Sequence, residues 1–164
     1  MKTAEIMEAL RYRHQGDMLF PELRGGAGYG GQSNRYIDAW AMCVTPSKGN
    51  PRTAYETKTS RPDFLRELKK PAKRKAALLF SNQFYFATPT GIVKPEELPP
   101  EAGLIEVRDL GPRSEAVFTN DDNVIGPDQR YGWTIVVTAP WRDTPPPSWR
   151  FVVSLLRNSR KNGA

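Results

Sequence analysis

The stretch YIDAWAMCVTPSKGNPRTAYETKTSRPDFLREL, residues 36–68, decides how the rest of the chain is read. Tyr36–Val44 is apolar at nearly every position, as a strand buried on both faces is. Pro46–Pro51 (PSKGNP) is dense in turn formers, and Thr53–Thr59 (TAYETKT) follows as a second strand. Ser60 with an acid at Asp63 marks a helix start, Pro62 being tolerated in the first turn. Antiparallel partners keep a constant sum of residue numbers, so a turn centred on Ser47 sets Asp38 opposite Glu56. The Cβ atoms of such a pair lie roughly 5 Å apart. Two carboxylates that close repel unless a cation sits between them, and a hard divalent ion suits them. Glu56 and Lys58 share one face of their strand, while Thr57 points to the other.

Working outward, residues 3–15 read as a helix stopped at Gly16, with Ile6, Ala9, Leu10 and Arg13 at helical spacing. Met18–Leu23 is a short strand, and Gly25–Gly31 (GGAGYGG) is a loop too poor in side chains to pack. Downstream, the helix begun at Ser60 runs to Phe80 with a break at Pro71. Gln83–Ala87 (QFYFA) is a strong strand, and Leu104–Val107 a shorter one. Residues 111–132 read as a long excursion, Thr134–Thr138 as a strand and Ser148–Arg157 as a last helix after Pro145–Pro147. The expected fold is α/β, in the order helix, three antiparallel strands, helix, strand, with extra C-terminal strands and a helix. One domain over 1–164 is expected, its core at about 1–108 and an elaboration at about 109–164.

Composition narrows the chemistry. No apolar run reaches the roughly 20 residues of a membrane helix, and the charged N-terminus lacks a secretory core, so a cytosolic protein is expected. The single Cys43 forbids an internal disulfide and a thiolate metal site, and the single His14 forbids an imidazole cluster. Any metal is therefore held by oxygen, which favours Mg²⁺ or Mn²⁺. The chain carries a net +6, and the segment from Arg61 to Lys75 holds seven cations against two anions. Such a helix suits phosphates, with Arg61 and Lys73 leading and Lys69, Lys70, Arg74 and Arg24 beside them. Tyr29, in the glycine-rich loop, either stacks on a base or belongs to a plain connector. His14 reads as a helix-surface residue, and Trp141 and Trp149 as a packing lid or subunit contact.

The chemistry expected to unite Asp38, Glu56 and Lys58 is phosphodiester hydrolysis. A carboxylate-bound Mg²⁺ lowers the pKa of its water, and a nearby ammonium offsets charge building on phosphate. A third acid would hold the ion better, and Glu5 on the first helix and Glu22 on the first strand are both candidates. Asp38, a 17-residue gap, then Glu-x-Lys, in this element order, resembles the PD-(D/E)XK nuclease superfamily over residues 1–108. The runs YETKTSRPDFLREL and NQFYFATP are more closely similar to its MmcB-like branch of DNA-repair nucleases, phage relatives included. The resemblance implies Asp38 and Glu56 as metal ligands, the backbone carbonyl of Thr57 as another, Lys58 as the catalytic lysine and Glu5 as the helix acid. It implies DNA as partner, with a second copy of the chain or a repair or phage protein as a further one. Ile37 stands where the name-giving motif has proline. A DNA-binding or protein-binding accessory module on the same fold is the alternative.

Overall fold

The computed structural model describes residues 1–24, 36–112, 117–118, 124–125 and 128–162. Helix α1 (Thr3–Arg13) leads into strands β1 (Met18–Arg24), β2 (Tyr36–Met42) and β3 (Arg52–Thr57). Helix α2 (Arg61–Leu68), a 3₁₀ turn at Pro71–Arg74 and helix α3 (Lys75–Leu79) then lead to β4 (Gln83–Pro89) and β5 (Gly103–Asp109). Two short strands, β6 (Val117–Phe118) and β7 (Val124–Ile125), pair with each other before β8 (Tyr131–Val137) and α4 (Trp149–Asn162). The expected α/β class holds.

The six-stranded sheet has the order β1-β2-β3-β4-β5-β8. The first three strands form an antiparallel meander, while β4 is parallel to β3 and β5 to β4. A parallel neighbour needs a crossover, and the α2–α3 segment supplies the one between β3 and β4. Pro71 breaks that segment where the sequence places the break, because proline cannot donate into the helical ladder. Ser60 caps α2 by accepting from the Asp63 amide. Strand β8 adds antiparallel to β5 from Tyr131, so the 111–132 excursion runs two residues into a paired strand.

Each face of the sheet carries its own core. On one, Ile6, Met7, Ala9 and Leu10 of α1 pack against Ala39, Tyr55, Tyr85 and Ile105. On the other, Phe64 of α2, Ala77 of α3 and Phe151 of α4 cover Trp40, Ala54, Phe84 and Phe86. Strand β4 is buried on both sides, which is why QFYFA lacks polar alternation. Helix α4 is more than a peripheral addition. Phe151 stacks on Phe80 at 4.1 Å between ring centroids, and Asn158 Nδ2 donates to the Pro21 carbonyl. The Trp lid does not form: Trp149 is 84% exposed and Trp141 also faces outward. Among the described residues no helix is long and apolar enough to cross a membrane.

His14 is not on the surface as expected but joins α1 to the sheet. Its Nδ1–H donates to Asp17 at 2.9 Å, since a carboxylate can only accept. Its Nε2 accepts from the Tyr55 hydroxyl at 2.7 Å, and that oxygen accepts in turn from Arg13 Nε at 3.1 Å. Burial holds the His14 pKa below its ordinary value, with Arg13 adding to the effect against Asp17, and burial pushes Tyr55 up to about 12. Both stay neutral at pH 7, in the protonation states these bonds need. A depressed histidine pKa gives stability that is complete above about 6.5 and is lost as pH falls through the folded-state value. Tyr55→Phe strips His14 Nε2 of its buried donor and is expected to cost about 1–3 kcal/mol. Urea titration at pH 7 measures it; an unchanged midpoint would show that the network contributes nothing.

Candidate functional site

The β2–β3 register is the one the turn dictated. Ala39 faces Tyr55 and Trp40 faces Ala54, so the next pair outward is Asp38 with Glu56. Across the other edge of β2, Pro21 faces Ala39 and Leu23 faces Ile37, which sets Glu22 opposite Asp38. Three acids thus lie abreast on three adjacent strands. Glu22 itself is exposed and has φ +50°, a left-handed conformation that non-glycine residues rarely adopt. The chain turns over there, which is how Phe20 and Leu23, three apart, reach the same core.

Asp38 is fixed by β3: its Oδ2 accepts from the Thr57 amide at 2.8 Å and from the Thr57 hydroxyl at 2.9 Å. Glu56 lies on the α2 side of the sheet, two residues after Ala54 of that core. Lys58 is just past the strand end, but its amide still donates to the Ala87 carbonyl of β4. That bond continues the ladder and keeps the side chain on the Glu56 face. Lys58 Nζ lies 2.6 Å from Glu56 Oε1 and 3.3 Å from Glu67 Oε2.

Glu67 is the site residue that the sequence reading missed. It lies on α2, buried to 3% exposure, with its Oε2 also 3.4 Å from Lys73 Nζ. Its Oε1 is buried with no hydrogen-bond partner among the described residues. A signal was present: Phe64 and Glu67 are one helical turn apart, so the acid sits on the apolar face of α2.

The electrostatics follow from this crowding. Burial, then the Asp38 carboxylate, push Glu56 up to about 7; Lys58 pulls the other way and Glu67 adds to the rise. Burial alone would lower Lys58, but Glu56, Glu67 and Asp38 outweigh it, so its pKa is raised and it remains an ammonium. The site therefore holds more negative charge than one lysine comfortably neutralises.

The other expected contacts divide. Glu5 accepts from the Tyr131 hydroxyl at 2.9 Å, beside β8, on the helix that covers the opposite face from Glu56. It is not brought to the Asp38–Glu56 pair. Arg61 is held by Glu97 and donates to the Ile92 carbonyl at 3.1 Å, so it tethers α2 to the 92–97 segment. Arg74 is buried and paired with Glu101 at 3.0 Å, which corrects its reading as a phosphate contact. Arg24 lies over the Tyr36 ring. Lys69, Lys70 and Lys73 are exposed. Tyr29 lies outside the described residues.

Among the described residues no group of three or more acids, histidines or cysteines is placed to hold a metal ion. The donor set still fits Mg²⁺ or Mn²⁺. Mg²⁺ keeps several waters and is bound through one or two carboxylates with substrate phosphate. Asp38 and Glu56 supply two carboxylates, and a cation between them removes the repulsion that lifts Glu56. Thr57, whose amide and hydroxyl fix Asp38, has its carbonyl at the same strand end.

No family model matches the chain, and no curated protein does. Among solved structures it is similar to the SPO1766 protein of unknown function from Silicibacter pomeroyi, at TM-score 0.59 and 19% identity. That likeness covers 99% of this chain and 87% of the other, and it bears on the fold alone.

Proposed function

We propose that the chain is a Mg²⁺- or Mn²⁺-dependent nuclease hydrolysing phosphodiester bonds in DNA, on a restriction-endonuclease-like fold of the PD-(D/E)XK, MmcB-like kind. The observation that carries the reading is the Glu56 carboxylate, lifted to about 7 beside Asp38 while Lys58 stays charged against it. A glutamate pushed up by burial beside a second acid, and facing an ammonium at the end of a sheet, suits metal-assisted phosphoryl chemistry. Asp38, Glu56 and the Thr57 carbonyl would hold the ion, which supplies an acidified water and a counter-charge for phosphate. Lys58 is the protein's own contribution to offsetting charge on the phosphate. Its raised pKa makes it an electrostatic partner and a proton donor, not a base. The exposed Lys70 and Lys73 line a recess with Lys58 and, with the exposed Lys69, draw a polyanion in. Repair, recombination or phage DNA processing in the cytosol is the setting this chemistry suits.

The test is cleavage of supercoiled plasmid and of single- and double-stranded oligonucleotides with Mn²⁺ or Mg²⁺. Cleavage is expected, and Asp38→Ala is expected to lower it by at least about 100-fold, beyond the cost of losing an outer-shell partner. Cleavage that survives the substitution removes the site. Salt-sensitive DNA binding without cleavage on any substrate moves the protein to the accessory-module class.

A further inference from the structure

Beside the acid pair, α2 and the 3₁₀ turn enclose a recess of about 280 Å³ lined by Lys58, Asp63, Arg66, Glu67, Lys70 and Lys73. Four cations and two acids converge there, and both acids are already engaged. Asp63 is paired with Arg66, and Glu67 is shared between Lys58 and Lys73. The Glu67 geometry explains the arrangement. One carboxylate oxygen is left buried and unpartnered while the other sets two ammonium groups beside each other. An ammonium has three donors. Lys58 uses one on Glu56 and one on Glu67, and Lys73 uses one on Glu67, so donors remain on both. Arg66 and Lys70 add charge, and Arg66, Lys70 and Lys73 are solvent-exposed and accessible to a ligand.

We propose that this recess binds the terminal phosphomonoester of a nucleic-acid strand, with Lys70 and Lys73 as its main donors and Lys58 and Arg66 at its wall. A monoester is a dianion with three free oxygens and uses several converging donors at once. An uninterrupted diester offers one charge and two free oxygens, for which lysines spread over an open surface suffice. A recess of this volume admits a strand end. Because Lys58 belongs both to the recess and to the Glu56 pair, a bound end lies next to the acids, and cutting is directed to bonds near it. That the strand is a substrate rests on the nuclease reading; the binding itself does not.

The experiment is fluorescence anisotropy with short single strands carrying a 5′-phosphate, a 3′-phosphate or hydroxyls at both ends, in EDTA so that no cleavage occurs. One phosphorylated strand is expected to bind about tenfold more tightly than the hydroxyl strand, a single charge-assisted contact's worth of preference. Lys70→Ala/Lys73→Ala, both at exposed positions, is expected to remove that preference, and inorganic phosphate to compete for it. Equal binding of all three strands, or a preference that survives the double substitution, overturns the proposal whether or not the protein cuts DNA. A phosphate preference in a protein that cuts nothing keeps the recess and removes the nuclease reading.

Discussion

Glu56→Gln is expected to make the metal-free protein more stable at pH 8 and to silence cleavage. The folded-state pKa of Glu56 is about 7, above the ordinary 4.5 of a glutamate. An acid raised on folding favours the folded state only while protonated. Its contribution is intact below 4.5 and is lost as pH rises through 7, by about 3 kcal/mol in all. Glutamine keeps the shape and escapes the loss. At pH 8 the variant should therefore unfold about 6–12 °C higher than the natural protein, with the difference vanishing near pH 4. Mn²⁺ should close the gap from the other side, by stabilising only the protein that retains both carboxylates. Cleavage should rise with pH across the same window, because the ion must displace the Glu56 proton. A Gln variant no more stable than the parent at pH 8 would show that Glu56 carries no such burden.

Lys58→Met should do the reverse to stability while also abolishing cleavage. Among the described residues Lys58 is the one cation paired with both Glu56 and Glu67, and Glu67 is almost wholly buried. Removing one partner of a buried pair strands the other charge, at about 3–5 kcal/mol. The raised Lys58 pKa means the ammonium is present throughout the neutral range, and its contribution fades only above about 10.5. The cost should thus be largest at pH 8 and should shrink near pH 5, where Glu56 takes up a proton. Lys58→Arg, which restores the charge, should recover most of the stability. Denaturation of the three proteins at both pH values reads this directly. A Met variant as stable as the parent at pH 8 would mean that the acids do not depend on Lys58.

Both predictions turn on residues visible in one dimension. Strand period and the turn around Ser47 leave one register for β2 and β3, so Asp38 and Glu56 are paired before any packing is considered. Glu67 was harder to see, although its place on the Phe64 face of α2 was readable. What drives that acid under the sheet surface is the docking of α2, with Phe64 edge-on to Phe86. His14, Arg61 and Arg74 were misjudged for a common reason. Each finds a partner distant in sequence, Tyr55, Glu97 and Glu101 respectively, and local pattern carries no information about such pairs.

The chain by itself determined the order of the main elements, though not β6 and β7 within 111–132, together with the β2–β3 register, the break at Pro71 and the two-sided burial of QFYFA. Periodicity, turn chemistry and proline stereochemistry act over a few residues and need no fold to operate. Tertiary structure alone decided the parallel placement of β4 and β5, the seat of α4 against Trp40 and Phe80, and the sharing of Lys58 between Glu56 and Glu67. It also decided which cations are free to meet a phosphate and which are spent inside the protein. A side chain's charge is written in the sequence, but its partner depends on which surfaces burial brings together.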